Sequence, residues 1–227
     1  MSVLRRRQMM YELNKYIDFE DPNAEELCLK YFDTDNDGRI SFDDLANVNQ
    51  RMINAAYQKI DKDTQLKDRV VKFNEFKYFV GIDTIPYAFF GGFNNLEEVE
   101  LPVVENLGAT FAYIYAYKLK KVIIPEGTKT IGALTFLGAL APNSVIKIPA
   151  SITEIGDNAF SWKKDVTFIF YGNTPPEIVG NWNYSAQTEK EKLIVGYAPD
   201  ESITLYKNSP IIGKICSDIL PISQYKG

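Results

Sequence analysis

The sequence contains no histidine and only two cysteines, Cys28 and Cys216, in 227 residues. Without histidine there is no Ser-His-Asp or Cys-His catalysis, no His-ligated zinc and no imidazole proton shuttle. Two cysteines cannot build a four-thiolate zinc site or a disulfide framework, and the sequence leaves them as free thiols or one long-range bridge. Long apolar runs are also missing, so no transmembrane helix is expected. A basic start (Arg5, Arg6, Arg7) opens like a signal peptide, but the chain continues QMMYELNKYIDFED, with no apolar segment to insert. The expectation is a chain not exported by that route, or one whose leader lies outside this sequence. Net charge is −5, which gives no reason to expect nucleic-acid binding. What is present is ordinary globular composition, 45% hydrophobic and 13% aromatic, enough for a substantial core.

The charge is unevenly placed. Residues 17–44 carry ten acids against Lys30 and Arg39, in front of a body that is neutral from residue 45 onward. Asp21-Pro22 predicts a helix start, running to about Tyr31. Then follows Asp33-Thr-Asp35-Asn-Asp37-Gly38-Arg39-Ile40-Ser41-Phe42-Asp43-Asp44. This matches the twelve-residue EF-hand calcium loop, with Asp in place of Glu at its last position. Calcium takes six to eight hard oxygens, and the spacing would supply them from Asp33, Asp35, Asp37, the Arg39 carbonyl, Ser41 through a water, and Asp44. The expected role is a structural calcium ion. The alternative is a metal-free loop in which Asp43 or Asp44 merely caps the next helix. That helix is expected from Leu45 to Ile60. Residues 70–76, Val-Val-Lys-Phe-Asn-Glu-Phe, mimic the second half of another loop, with Val71 expected to pair with Ile40 and Glu75 at the closing position.

From residue 82 an internal repeat takes over. One unit reads Ile85-Pro86…Phe89, Leu107-Gly108…Phe111, Ile131-Gly132…Phe136 and Ile155-Gly156…Phe160. A second lies between its copies: Val99-Glu-Leu101-Pro102, Val122-Ile-Ile124-Pro125, Ile146-Lys-Ile148-Pro149, and Phe168-Ile-Phe170-Tyr171 without the proline. One short alternating strand per period of about 24 residues predicts a solenoid of parallel strands. Residues three and one before each proline point inward, the phenylalanines form a spine, and each proline ends its strand. The fold expected is α+β: a small helical EF-hand-like domain followed by a short leucine-rich-repeat β-solenoid. The divisions are a basic tail (1–16), the helical domain (17–80), about four repeats (81–171) and a C-terminal cap (172–227), with strands near 193–195 and 219–222.

The outward row, which includes Glu98, Glu100, Lys121, Ile123, Lys147 and Ile169, is the candidate partner-binding face, extended by the aromatics Tyr115 and Trp162. A glycan-binding or glycan-hydrolysing surface protein using exposed aromatics and carboxylates is the alternative; Glu97, Glu98 and Glu100 are the closest group of acids.

The pattern in IKIPASITEIGDNAF resembles the BspA-like leucine-rich repeats of bacterial surface proteins. CLKYFDTDNDGRISFDDL, followed by FNEFKYFVGIDTIPYAF, resembles the EF-hand- or dockerin-like module that precedes such repeats. The likeness runs over residues 17–222. It implies a non-enzymatic, cell-surface or secreted role in adhesion or protein binding, with an unknown protein or glycan as ligand.

Overall fold

The computed structural model describes residues 15–111, 118–160, 166–181 and 194–226. Asp21 does start a helix: its side chain accepts the Asn23 N–H, and Pro22 occupies the first turn of α1 (Pro22–Tyr31). The expected 45–60 helix is two pieces, α2 (Phe42–Ala46) and α3 (Gln50–Ile60), because Ser41 and Asn49 each cap a new start. α4 (Thr64–Arg69) follows.

The strands are, in chain order, β1 (Lys72–Phe73), β2 (Glu98–Glu100), β3 (Asn106–Leu107), β4 (Leu119–Ile123), β5 (Thr130–Ile131), β6 (Leu140–Ile148), β7 (Glu154–Ile155), β8 (Thr167–Phe170), β9 (Glu177–Ile178), β10 (Ile194–Ala198) and β11 (Cys216–Pro221). They form two sheets in which every pairing is parallel: β1-β2-β4-β6-β8-β10-β11 and β3-β5-β7-β9. Successive turns of one coil thus stack as the repeat predicts. The inward residues Val99, Leu101, Val122, Ile124, Ile146, Ile148, Phe168 and Phe170 are all buried.

The glycines at 132 and 156 have a steric reason, whereas a Cβ at Gly108 would meet nothing within 4 Å. A Cβ on Gly156 would stand 2.6 Å from the Ala133 nitrogen of the preceding turn, so only glycine lets the coils close to this spacing.

Residues 70–76 depart from expectation. Val71 does not meet Ile40; its carbonyl accepts the Glu97 N–H at 2.7 Å, and β1 pairs with β2. The segment is the first rung of the solenoid. Ile40 is met instead by the N-terminal segment, Ile17 N–H donating to its carbonyl at 2.9 Å beside an isolated antiparallel bridge between Tyr16 and Ser41. The large sheet therefore crosses the boundary expected at residues 80 and 81, and β10 and β11 carry it across the one at 171.

The spine also differs in one member. Phe90, not Phe89, stacks on Phe111 (4.9 Å), which stacks on Phe136 (5.0 Å) and that on Phe160 (5.3 Å). Phe89 turns toward the helical end and stacks on Phe76 at 5.1 Å. The rings continue beyond the repeats at both ends. Phe32, the C-cap of α1, meets Phe79, Phe79 meets Phe76, and Phe76 meets Phe90. At the other end Phe160, Phe168, Phe170 and Tyr206 follow in turn. Tyr206 lies in α5 (Ile203–Lys207), which with α6 (Ile212–Ile215) links β10 to β11 and closes that end of the core. One apolar core thus runs from the first helix to the last strand.

Cys28 and Cys216 are both buried and free. Burial pushes the Cys216 thiol up to about 12 and holds Cys28 well above its ordinary value, so neither is a reactive thiolate.

Candidate functional site

Two regions gather the residues singled out in the sequence. The first is the loop between α1 and α2. Asn36 and Gly38 take positive φ (56° and 79°), which winds the chain into a tight coil. Within it, carboxylate oxygens of Asp33, Asp35 and Asp37 lie within 4.8 Å of one another. Backbone N–H groups steady them: Asp37 donates to Asp35 Oδ1, Gly38 to Asp33 Oδ2 and Arg39 to Asp37 Oδ1. The Tyr16 hydroxyl donates to Asp37 Oδ2 at 2.8 Å, and the Arg39 guanidinium lies 3.4 Å over the Tyr16 ring. Asp33 Oδ1 is buried with no donor. Three converging carboxylates, one with an orphaned oxygen, fit a hard divalent cation.

Ser41 and Asp44 are not brought to that centre. They form a capping box: the Asp44 N–H donates to Ser41 Oγ, while Asp44 Oδ2 accepts the Ser41 N–H and hydroxyl. Asp44 Oδ1 accepts the Thr34 N–H and hydroxyl. Burial raises the Asp44 carboxyl, but these donors outweigh it and hold the group below its ordinary value. Asp44 thus clasps the two ends of the loop, and the capping alternative describes its side chain.

The second region is the outer face of the seven-stranded sheet. Its rows follow the expected alternation: Glu98, Lys121, Val145 and Thr167 align in one, Glu100, Ile123, Lys147 and Ile169 in the next. Much of the charge is spent internally. Glu98 pairs with Lys72 and Lys121 at 3.5 Å each, Glu100 with Lys77 at 2.7 Å, and Glu97 with Lys120 at 2.8 Å. Ile169 is corrected outright: it is 0% exposed. Tyr197 of β10 is its register partner, and the C-terminal Tyr225 returns over the face to pack on Tyr197 at 5.1 Å. Tyr115 and Trp162 lie outside the described residues, as do Tyr113, Tyr117, Trp182 and Tyr184.

What remains open is a groove of about 470 Å³ over Ile123, Val145 and Pro149, walled by Tyr171 and Tyr225 and rimmed by Lys121 and Lys147. Ile123 is 37% exposed. Tyr171 and Tyr225 were missed by sequence reasoning; Tyr171 stands where earlier repeats have proline, which was its one visible signal.

Parallel strands wound at a fixed period about a column of stacked phenylalanines define a leucine-rich-repeat solenoid. Residues 41–167, more than half of the chain, match the family model described as BspA type Leucine rich repeat region, in six copies, and the chain belongs to that family. The match begins well before the first repeat that the Pro and Gly spacing discloses, in keeping with a rung at β1. The chain is also similar to the calcium-binding allergen Ole e 8 of Olea europaea, 34% identical over 87 residues, covering 35% of this chain and 49% of that protein. It therefore spans about half the length of that relative. Among the described residues no helix is long and apolar enough to cross a membrane.

Proposed function

We propose that the chain is a non-enzymatic protein-interaction module whose ligand face is the groove over Ile123, Val145 and Pro149. The observation that carries this is the pairing of an apolar floor with Lys147, for which no ion-pair partner stands among the described residues, beside Lys121, whose carboxylate partner is 3.5 Å away. The lining has one acid, Glu126, whose carboxylate accepts the Ala150 and Ser151 N–H groups, against Lys120, Lys121 and Lys147. Its net charge is therefore positive, and the occupant it fits is an acidic partner segment carrying an apolar anchor. The acids Glu97, Glu98 and Glu100 are ion-paired on an open face, which favours binding over glycan hydrolysis. Peptides selected against the intact chain should be acidic. They should lose roughly tenfold or more in affinity to Ile123→Asp and to Lys147→Glu, since each change removes about 1.4 kcal/mol or more at a buried contact. Selected peptides indifferent to both changes would refute this face.

The α1–loop–α2 unit is proposed as an EF-hand-like cap holding one structural calcium ion on Asp33, Asp35 and Asp37. The similarity to a calcium-binding allergen supports this, as does the orphaned Asp33 oxygen. With Asp44 engaged as a clasp the ligand set is small, so the expected Kd is on the order of 10⁻⁴–10⁻³ M. At calcium ten times Kd the gain is about 1.4 kcal/mol, a rise of about 4 °C in melting temperature. Asp35→Ala should abolish that rise. An unchanged melt in the parent chain refutes calcium binding there.

A further inference from the structure

A third site borders the proposed calcium loop through Tyr16 but is floored by other residues. Between the N-terminal bridging segment and the first rung lies a cleft of about 510 Å³, floored by Asn74 and Glu75 and walled by Tyr16, Phe42 and Tyr78. The floor is polar and nearly sealed: Asn74 is 3% and Glu75 5% exposed. Each has one satisfied and one orphaned end. Glu75 Oε1 accepts the Glu20 N–H at 3.1 Å, and Asn74 Nδ2 donates to Glu20 Oε1 at 3.3 Å. Glu75 Oε2 and Asn74 Oδ1 have no donor at all. Leaving a buried acceptor unpaired is costly, more so for a carboxylate, so two on adjacent residues call for a donor from outside.

We propose that this cleft binds an alkylammonium group, the side chain of a lysine presented by a partner protein. An ammonium offers three donors and no acceptor, and it supplies the positive charge that the Glu75 carboxylate lacks. The cation that lines the cleft, Lys77, is committed to Glu100 at 2.7 Å. Burial, with the neighbouring Glu20 charge adding to it, holds the Glu75 carboxyl above its ordinary value; backbone donors and the Lys77 charge pull the other way without cancelling it. The walls suit the rest of the side chain. Phe42 is 39% exposed and packs edge-on against Tyr78 at 4.8 Å; the Tyr78 ring already has the Lys77 ammonium 5.2 Å from its centroid, so Phe42 is the ring surface left for methylenes and for a cation. A neutral hydroxyl would satisfy one acceptor and leave the buried charge uncompensated.

The test titrates the full chain with N-acetyl-lysine methylamide, its norleucine counterpart and methyl glucoside, followed by calorimetry. Saturable binding of the lysine probe is expected with Kd on the order of millimolar, as one ammonium contact allows. The norleucine probe and the glucoside should bind at least roughly tenfold more weakly, the worth of a charged hydrogen bond. Glu75→Gln should reduce lysine binding by a similar factor while melting no lower than the parent, because it removes a buried charge and keeps the acceptor for the Glu20 N–H. Phe42→Ala, on the surface, should weaken it by roughly threefold through the lost cation–π contact. Lys147→Glu should leave it unchanged, so failure here is separable from failure of the groove. No saturable lysine binding, equal binding of norleucine or glucoside, or full binding by Glu75→Gln would each overturn the proposal.

Discussion

Replacing Phe76 with alanine should lower the midpoint of one unfolding transition for the whole molecule, by about 10 °C. Phe76 is fully buried, and its ring meets Phe73, Phe79, Phe89 and Phe90 at 4.9–5.3 Å. Phe79 leads on to Phe32 at the helical end, Phe73 belongs to the first rung, and Phe89 and Phe90 belong to the repeat that follows. Truncating such a residue removes its transfer free energy and leaves a cavity, together about 4 kcal/mol. For a chain of this size that corresponds to roughly 2–4 °C per kcal/mol. Scanning calorimetry distinguishes two organisations. If the cap and the repeats share one core, a single transition moves as a unit. If residues 17–80 were an independent domain, two transitions would be seen, and the one belonging to the distal repeats would stay in place. The continuous ring column from Phe32 to Tyr206 argues for the first outcome.

That column also shows what could be read in advance. The proline and glycine spacing placed the parallel strands and their inward residues correctly, because most markers have a local cause: proline cannot donate to a ladder, and at 132 and 156 glycine alone fits between coils. Where no marker stands, the reading failed. The rung at residues 70–76 has neither Pro nor Gly, and an alternating apolar stretch ending in Glu75 satisfies a degenerate calcium loop as well as a strand. Phe89 and Phe90 are adjacent phenylalanines, and the choice between them turns on Ala88, whose φ of 54° swings the chain at that corner.

The site residues divide in the same way. Ligand spacing brought Asp33, Asp35 and Asp37 together, since that depends on the loop's own turn. Asp44 was lost because Ser41 competes for it as a helix cap, a contest that spacing does not decide. Alternation put Ile169 on the correct face but carried no information about Tyr225 returning over it. The cleft over Asn74 and Glu75 had a faint signal, an amide and an acid set between two phenylalanines, while the flanking Lys72 and Lys77 turn instead to Glu20, Glu98 and Glu100.

Asp21 ties the first helix to the first rung, and its loss should rank second in effect. One carboxylate serves two structures. Oδ1 accepts the Asn23 N–H at 2.8 Å and the Asn23 side-chain amide at 3.0 Å, capping α1. Oδ2 accepts the backbone N–H of Val71 at 2.6 Å and of Lys72 at 3.0 Å, closing the exposed edge of β1. Asp21→Ala removes a helix cap and leaves two edge donors unpaired, an expected loss of about 3 kcal/mol. Asp21→Asn keeps the acceptor but not the charge and should lose about 1 kcal/mol. The pH dependence separates charge from shape. Burial raises the Asp21 carboxyl, but the backbone donors of Lys72, Val71 and Asn23 prevail and lower it from 3.8. The unfolded chain then takes up this proton first as pH falls, so the contribution is whole well above pH 3.8 and fades as pH drops through the folded value. Denaturant melts of parent and Asp21→Asn should therefore differ at neutral pH and converge in acid. A difference that persists unchanged below the folded value would mean that geometry, and not the carboxylate charge, ties the first helix to the first strand.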